Sequence, residues 1–160
     1  MTEECQGIPP APQHEKLMES AGEWDVSARF YMDPSQPPVE TSATDSISAV
    51  GSFWVVGDYN GDFMGMPFRG VSQVGWDPRI QKYVSTWIDA MSPFMYRFEG
   101  DWDGGMLKME GMNPNPMTGE DCKWRIEEEH PDRDNRTMRM YVEMGGQEVQ
   151  TFEMTYKRKS

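Results

Sequence analysis

Polar and apolar residues alternate along most of this chain with a period of two. In residues 24–30 every second side chain is apolar and the side chains between them are polar or charged. Residues 96–102, 122–126 and 152–156 repeat the pattern. A period of two is typical of a strand with one buried face. The pattern therefore predicts strands for most of the chain.

Turn-forming residues divide the alternating segments at intervals of about eight to twelve residues. Two aromatic-rich segments, 63–76 and 80–90, face each other across the turn Asp77-Pro78-Arg79. Asn60-Gly61 predicts a tight hairpin, because this dipeptide favours the backbone of two-residue turns. Strands at this spacing, without helical segments between them, indicate an all-β fold, an up-and-down antiparallel β-barrel of about ten strands. The other turn signals are Ser92-Pro93, Asp103-Gly104-Gly105, residues 113–116, residues 131–135 and Gly145-Gly146.

A helical period occurs only near the N-terminus. Residues 14–21 place three apolar side chains on one side, and Gly22 follows as a C-cap residue would. We expect a short N-terminal helix here, preceded by an extended leader over residues 1–13. Because no linker or repeat interrupts the later segments, residues 14–160 are expected to form a single domain.

The net charge excludes two classes of partner. Lys and Arg number 15 against 27 Asp and Glu, which gives a net charge of -12, and such a field repels nucleic acid and anionic membranes. No segment approaches the roughly 18–20 apolar residues of a membrane helix, and the acidic N-terminus lacks the features of a secretory signal. We expect a cytoplasmic protein that binds neither nucleic acid nor membranes.

The chain holds no complete metal or catalytic constellation. Cys5 and Cys122 lack the spacing of a zinc site and are expected to be free thiols. His14 and His130 are isolated, whereas zinc and non-haem iron need several converging ligands and haem needs a histidine inside the barrel. The acidic run at residues 127–129 projects alternately to two faces and cannot surround a calcium ion. We expect no cofactor, no metal and no catalytic residue.

Methionine is unusually frequent, with 15 residues. Groups such as Met64-x-Met66 and Met106-x-x-Met109-x-x-Met112 could offer thioether ligands to copper(I). Met also fills irregular apolar spaces and suits pockets for flexible ligands. The packing role is favoured, because no histidine cluster accompanies these residues.

A closed barrel of ten strands encloses a wider interior than one of eight strands, whose interior just holds side chains or one small ligand. On the strand after Asp77-Pro78, one row combines aromatic and polar groups as ligand pockets do, and the other row is equally typical of a core. If the aliphatic row faced inward, the aromatic row would lie under the helix or in a dimer interface. The mixed row is Tyr83, Ser85, Trp87 and Asp89, and the aliphatic row is Val84, Thr86 and Ile88. The residues predicted to contact a ligand are Trp24, Met66, Phe68, Tyr83, Ser85, Trp87, Asp89, Tyr96 and Phe98.

The densest string of unusual residues lies between residues 51 and 100. With Glu23-Trp24 before it and Glu153-Met154-Thr155-Tyr156-Lys157 after it, this string resembles the family of domain-of-unknown-function 1579 (DUF1579) over about residues 14–159. The resemblance implies a calycin-like, lipocalin-like barrel with a helix near one opening, related in architecture to fatty-acid-binding proteins and nitrobindin-like haem barrels. It implies no activity. The string consists of Met64-Gly65-Met66-Pro67-Phe68, Gly70, Trp76-Asp77 and Lys82-Tyr83-Val84-Ser85-Thr86-Trp87-Ile88-Asp89, with Trp76 where Tyr is more familiar.

These patterns support a main hypothesis of function and leave others open. The main hypothesis is a barrel that binds a small apolar molecule in its interior. The alternative is a filled barrel that acts as an interaction module, with the outward face of the strand at residues 80–90 forming a homodimer contact. A haem-binding barrel, or an enzyme that uses Asp89 with Tyr83, is favoured less.

Overall fold

Ten antiparallel strands and one short helix make up residues 7–159, the part of the chain that the structure, a computed structural model, describes. The elements in chain order are α1 (Pro12–Met18), β1 (Gly22–Phe30), β2 (Val39–Val50), β3 (Trp54–Phe63), β4 (Met66–Asp77), β5 (Lys82–Asp89), β6 (Tyr96–Asp103), β7 (Met106–Pro114), β8 (Asp121–Glu129), β9 (Asn135–Met144) and β10 (Gln147–Arg158).

The strands close into a barrel by the simplest antiparallel order. Each strand pairs with the next one in the chain, and β1 completes the cylinder by pairing with β10. The closing ladder runs from Trp24 opposite Arg158 to Phe30 opposite Phe152. The predicted fold, an up-and-down antiparallel β-barrel of ten strands with a short N-terminal helix, is confirmed.

Successive connections lie alternately at the two ends of this barrel. Helix α1 lies at the end where β1 begins and β10 finishes, and we call this the capped end. The opposite end, the open end, carries the connections β1–β2, β3–β4, β5–β6, β7–β8 and β9–β10. The space that the strands enclose between the two ends is called the lumen.

The helix begins and ends earlier than the sequence predicts. It spans Pro12–Met18, with Pro12 in the first turn, where its missing N–H costs no hydrogen bond. The backbone N–H of Ala11 donates to Nδ1 of His14 at 2.9 Å, which fixes the first turn. Gly22 is not a C-cap residue, because it is the first residue of β1.

The hairpin predicted at Asn60-Gly61 is wrong. Both residues lie inside β3, and the chain reverses at Met64 and Gly65, whose φ values are 51° and 81°. Two residues with positive φ form the tight turn that suits the twist of a hairpin. Gly61 is needed for a different reason, since a Cβ there would lie 2.6 Å from Cβ of Ala43 on β2.

The sequence also led to expectations about the two cysteines and about a membrane-spanning helix. Cys122 is a free thiol, whereas Cys5 lies outside the described residues. No helix within residues 7–159 is long and apolar enough to span a membrane.

Candidate functional site

The buried apolar side chains other than Trp24 fall into two groups. Trp87, Met138 and Phe152 are only partly buried, and they pack against both groups. The two groups are therefore linked through side chains that are only partly buried. The larger group contains Leu17, Val55, Tyr83, Tyr96, Phe98, Leu107, Met109, Ile126, Met140 and Val142. The smaller group contains Val26, Ala28, Ala43, Tyr59 and Met154.

The mixed row of β5 faces the lumen. Trp87 stacks on Phe68 with ring centroids 6.5 Å apart and meets Tyr59 edge-on at 5.9 Å. Ile88, in the aliphatic row, is 46% exposed on the outer wall. This is the orientation that the sequence favoured, and contact of the row with a ligand stays a prediction.

The other predicted contact residues are spread along the whole barrel. Tyr96 and Phe98 are buried on β6, and the ring of Tyr96 lies 4.9 Å from that of Trp124. Trp24 lies fully buried at the capped end. Met66 is the first residue of β4, where its side chain is 64% exposed at the open end.

Tyr83 and Asp89 do not form a catalytic pair. They are six residues apart on an extended strand, a separation of about 20 Å. Asp89 accepts hydrogen bonds from Trp87 Nε1 at 2.8 Å and from the Met91 N–H at 2.9 Å. The Tyr83 hydroxyl donates to the Gln13 carbonyl of α1 at 3.3 Å. Both side chains therefore hold neighbouring structure in place.

A polar cluster lies against the smaller apolar group, on β2, β3, β4 and β10. Its centre is Asp45, which is 5% exposed and lies between Trp24 and Tyr59 in the strand register. Oδ1 of Asp45 has no hydrogen-bond partner within residues 7–159. The cluster, called the Asp45 cluster below, comprises Asp45, Tyr59, Ser72 and Tyr156.

Burial shifts the ionisation of the Asp45 cluster. It raises the pKa of the Asp45 carboxyl to about 6, and the Tyr156 hydroxyl offsets this only in part. Asp58, Glu23 and Glu128 raise that pKa further through their negative charges. Burial and the Asp45 charge raise the pKa of Tyr59 to about 12, and burial raises the pKa of Tyr156 well above its usual value. Both tyrosines are therefore neutral donors at physiological pH.

A second polar group lies nearer the capped end. Arg136 is buried, and its Nη1 donates to Ser20 Oγ at 2.8 Å. Burial opposes ionisation of Glu128, but the hydrogen bond with His130 and the charges of His130 and Arg136 lower the Glu128 pKa. Unlike Asp45, this carboxylate has cationic neighbours. Arg136 Nε, Trp76 Nε1 and Trp124 Nε1 are also buried without a hydrogen-bond partner in the described chain.

Helix α1 covers the capped end through His14 and Lys16. His14 is buried, and its ring meets Phe53 and Trp76 edge-on at 4.9 and 5.5 Å. Nζ of Lys16 lies 3.6 Å from the ring centre of Trp102. These contacts place the helix over part of this end.

The two histidines do not fit a haem site. Both nitrogens of His14 are engaged, Nδ1 by the Ala11 N–H and Nε2 by the Trp76 carbonyl at 2.9 Å. His130 Nε2 pairs with Glu128 Oε1 at 2.5 Å. Axial ligation needs a free imidazole nitrogen inside the barrel, and neither residue presents a free Nε2 there.

Exposed methionines surround the open end. All five connections there carry at least one of them in the connection itself or in an adjoining strand end. We call this set the methionine rim, and its thioethers form a flexible apolar border at the entrance. The rim consists of Met32, Met64, Met66, Met91, Met95, Met117 and Met144, which are 38–91% exposed. Met106, Met109 and Met112 do not converge, because Met109 is buried and Met112 lies exposed on the outer wall.

The outer wall of β3–β8 contains a groove of about 900 Å³. Trp54 and Val84 contribute apolar surface to it. We call it the outer groove; most of its lining residues face outward, and Ser85, Phe98 and Met109 of the inward rows also border it. Its basic residues are Lys82, Arg97, Lys108, Lys123 and Arg125.

Sequence reasoning missed the Asp45 cluster, although a signal for it was present. In β2 the residues at 42, 44, 46 and 48 are all polar, which marks them as the outward row. Ala43, Asp45 and Ile47 must then face inward. An acidic residue in an inward row is the pattern that would have identified the cluster.

Comparison with one crystal structure supports the barrel fold. The crystal structure of Rv2717c from M. tuberculosis superposes with a TM-score of 0.71 at 13% sequence identity, over 95% of this chain and 100% of that chain. A redesigned beta barrel superposes with a TM-score of 0.47 at 11% identity, over 89% of this chain and 94% of that one. No curated protein sequence matches this chain.

Comparison with family models gives a match over nearly the whole barrel. The model described as "Protein of unknown function (DUF1579)" matches residues 9–158, from the residues before α1 to the end of β10. The resemblance seen in the sequence is thereby confirmed, and the chain belongs to the DUF1579 family.

Proposed function

We propose that this protein binds a small, largely apolar molecule in the lumen. The division of the buried side chains into two groups, bridged by the partly buried Trp87, Met138 and Phe152, carries the proposal. Residues that face inward and still retain accessible surface border space rather than neighbouring atoms. A ten-stranded barrel has room for such a space.

The composition of the lumen wall favours an apolar ligand with few polar groups. Aromatic and methionine side chains supply most of the surface near Trp87, including Phe68, Tyr59 and Met138. Ligand sites in proteins combine such surface with a small number of polar groups that fix orientation. The methionine rim adds an entrance that can adapt to ligands of different shape.

The test is a calorimetric titration with 1-octanol of the wild type and two matched variants. Ser72 and Gln73 are neighbours on β4, with Ser72 next to Asp45 on the lumen side and Gln73 in the outer groove. Ser72→Leu should fill part of the lumen and weaken octanol binding at least tenfold. Gln73→Leu should bind octanol as the wild type does.

Two outcomes would contradict this proposal. One is the absence of octanol binding to the wild type. The other is binding that Gln73→Leu weakens and Ser72→Leu does not, because the ligand would then lie in the outer groove. The unfolding free energy of Ser72→Leu shows in addition whether the interior is solidly packed at this position. In a solidly packed interior, extra methylenes typically cost about 1–3 kcal/mol.

A second candidate function is a homodimer contact on the outer wall. Ile88 and Trp54 are 46% and 43% exposed there. Val84, on the same strand as Ile88, lines the outer groove. Exposed apolar surface of this kind often marks an interaction site. Sedimentation velocity of the wild type and of the double variant Val84→Ser/Ile88→Ser tests it. An identical sedimentation coefficient for both would exclude this contact.

A cytoplasmic location and the absence of nucleic-acid partners remain predictions from charge and sequence. Fractionation of cells that produce the protein tests the first. Titration with duplex DNA and single-stranded RNA at low salt tests the second, and we expect no binding because of the net charge of -12.

A further inference from the structure

The Asp45 carboxylate is a buried acidic group of the lumen wall that has no Lys or Arg neighbour among the described residues. Asp45 is 5% exposed, and no Lys or Arg of residues 7–159 lies within ion-pair distance of its carboxylate. The charges that act on it come from Asp58, Glu23 and Glu128, all of which are acidic. Oδ1 accepts no hydrogen bond from the described chain. A buried acceptor in this state is costly to leave without a partner.

The chain keeps the space around this carboxylate clear. A Cβ at Gly57 would lie 2.8 Å from Asp45 Oδ1 and 2.6 Å from Ser72 Oγ. Any other residue at this position would push the carboxylate or the hydroxyl aside. Asp45 pairs in register with Trp24 on one side and Tyr59 on the other, so that it projects to the inner face as they do. The acceptor is thus held on the lumen wall beside Tyr59, which in turn contacts Trp87.

The chemistry of a carboxylate decides which ligand group fits. An ionised carboxylate only accepts hydrogen bonds, and its strongest bonds are with charged donors. The inward rows carry the carboxylates of Asp45, Asp89 and Glu128, and the guanidinium of Arg136 acts on Glu128. A second carboxylate brought in by a ligand would meet repulsion at Asp45. An ammonium group would instead neutralise a charge whose desolvation has already occurred on folding.

We propose that the lumen selects apolar molecules that carry a hydrogen-bond donor, best a protonated amine, and that Oδ1 of Asp45 accepts the bond. This inference rests on the proposed function, since it assumes that a ligand enters the lumen. Asp45 is therefore the residue that selects ligands by the polar group they carry. The apolar part of the ligand lies along Tyr59, Phe68 and Trp87.

The experiment compares three probes with the same tail: octylamine, 1-octanol and octanoate. Each is titrated calorimetrically into the wild type at pH 7, below the concentration at which it aggregates. We expect octylamine to bind at least tenfold more tightly than octanoate, with octanol between them. In Asp45→Asn, which keeps the shape and removes the charge, the preference for octylamine over octanoate should fall to threefold or less.

Asp25→Asn serves as the matched control. Asp25 lies on the outer face of β1 next to Trp24, and its loss changes the net charge by the same amount. This variant should keep the wild-type ratio, which separates a lumen contact from a general effect of charge. Asp45→Ser provides a second replacement, in which the preference should also be lost.

Each outcome bears on a specific claim. If the wild type binds octanoate as tightly as octylamine, or if Asp45→Asn and Asp45→Ser keep the wild-type ratio, the role of Asp45 is wrong while lumen binding stands. If Asp25→Asn lowers the ratio as much as Asp45→Asn does, the role of Asp45 is equally wrong. If none of the three probes binds the wild type, both this inference and the proposed function are contradicted.

Discussion

At the scale of single residues, the balance between stability and function is clearest at Asp45. Proteins place buried charges where a partner compensates them, as Glu128 and Arg136 do for each other here. Asp45 has no such partner, and its carboxyl therefore makes the folded state less stable when it ionises. A residue that costs stability in the free protein is a reasonable candidate for a role in binding.

This cost predicts how stability depends on pH. The Asp45 pKa of about 6 in the folded protein exceeds its ordinary value of 3.8, so between these values the folded state binds more protons than the unfolded state. Stability then falls as the pH rises through this window. Asp45→Asn should gain about 2–3 kcal/mol relative to the wild type between pH 4 and pH 7.5.

Urea denaturation of both proteins at the two pH values measures this change. Asp25→Asn again provides the control, and its difference from the wild type should show no comparable gain. A difference between wild type and Asp45→Asn that is the same at pH 4 and pH 7.5 would show that Asp45 does not titrate in this window.

At the scale of elements, the close approach of β6 and β7 at Gly100 shapes one part of the barrel wall. Gly100 on β6 lies so close to β7 that a Cβ there would overlap the Lys108 carbonyl and lie 2.7 Å from Cα of Met109. The absence of a side chain lets the two strands approach and places Phe98 and Met109 in the buried group. The outer groove lies on the other side of the same strands.

Substitution at Gly100 should therefore have a large effect on stability. Gly100→Ala forces β6 and β7 apart, and we expect a loss of about 3 kcal/mol or more. Gly105→Ala, in the turn that joins the same strands, meets no atom within 4 Å and should lie within about 0.5 kcal/mol of the wild type. Thermal and urea unfolding of the pair measure both effects. Equal stabilities would mean that the strands are not in close contact at Gly100.

The sequence was sufficient to predict the strands and their closure into a barrel, but not the position of every turn. Alternation and turn residues predicted the barrel and the inward row of β5, because both depend on a period of two that the chain keeps throughout. Asn60-Gly61 gave a wrong prediction of a turn. Its local preference for a turn is weaker than the stabilisation from pairing β3 with β2, where Gly61 lies opposite Ala43. The reversal at Met64 and Gly65 gave no warning, since methionine seldom adopts positive φ.

The candidate site was only partly accessible to the same reasoning. The aromatic members, such as Phe68 and Trp87, follow from which face of a strand is apolar. The isolation of Asp45 depends on which charges approach it from β3, β8 and the capped end, and these distances are set by closure of the barrel. Strand periodicity alone contains no information about such contacts between strands.

At the scale of the whole molecule, the two ends of the barrel differ in kind. Helix α1 covers one end with His14 and Lys16, while the methionine rim borders the other. A ligand would enter past exposed thioethers, which offer apolar contact before the ligand has left water completely. The rim should therefore influence the rate of entry more than the stability of the fold.

Replacement of rim residues tests this role. The triple variant Met66→Gln/Met91→Gln/Met117→Gln should slow the association of 1-octanol severalfold, because glutamine keeps the length of the side chain but is polar. Its unfolding free energy should change little, since all three side chains are at least 58% exposed. Met112→Gln, on the outer wall, is the control and should leave the rate unchanged. Equal association rates for the wild type and the triple variant would contradict a role of the rim in entry.

The most direct test of the central claim is a diffraction measurement on crystals pressurised with xenon, which binds in apolar cavities that water leaves empty. We expect xenon to bind inside the barrel between the two buried groups, in contact with Trp87, Met138 and Phe152. A barrel interior that takes up no xenon and is filled by its own side chains would contradict the claim that this protein holds a small apolar molecule in its lumen.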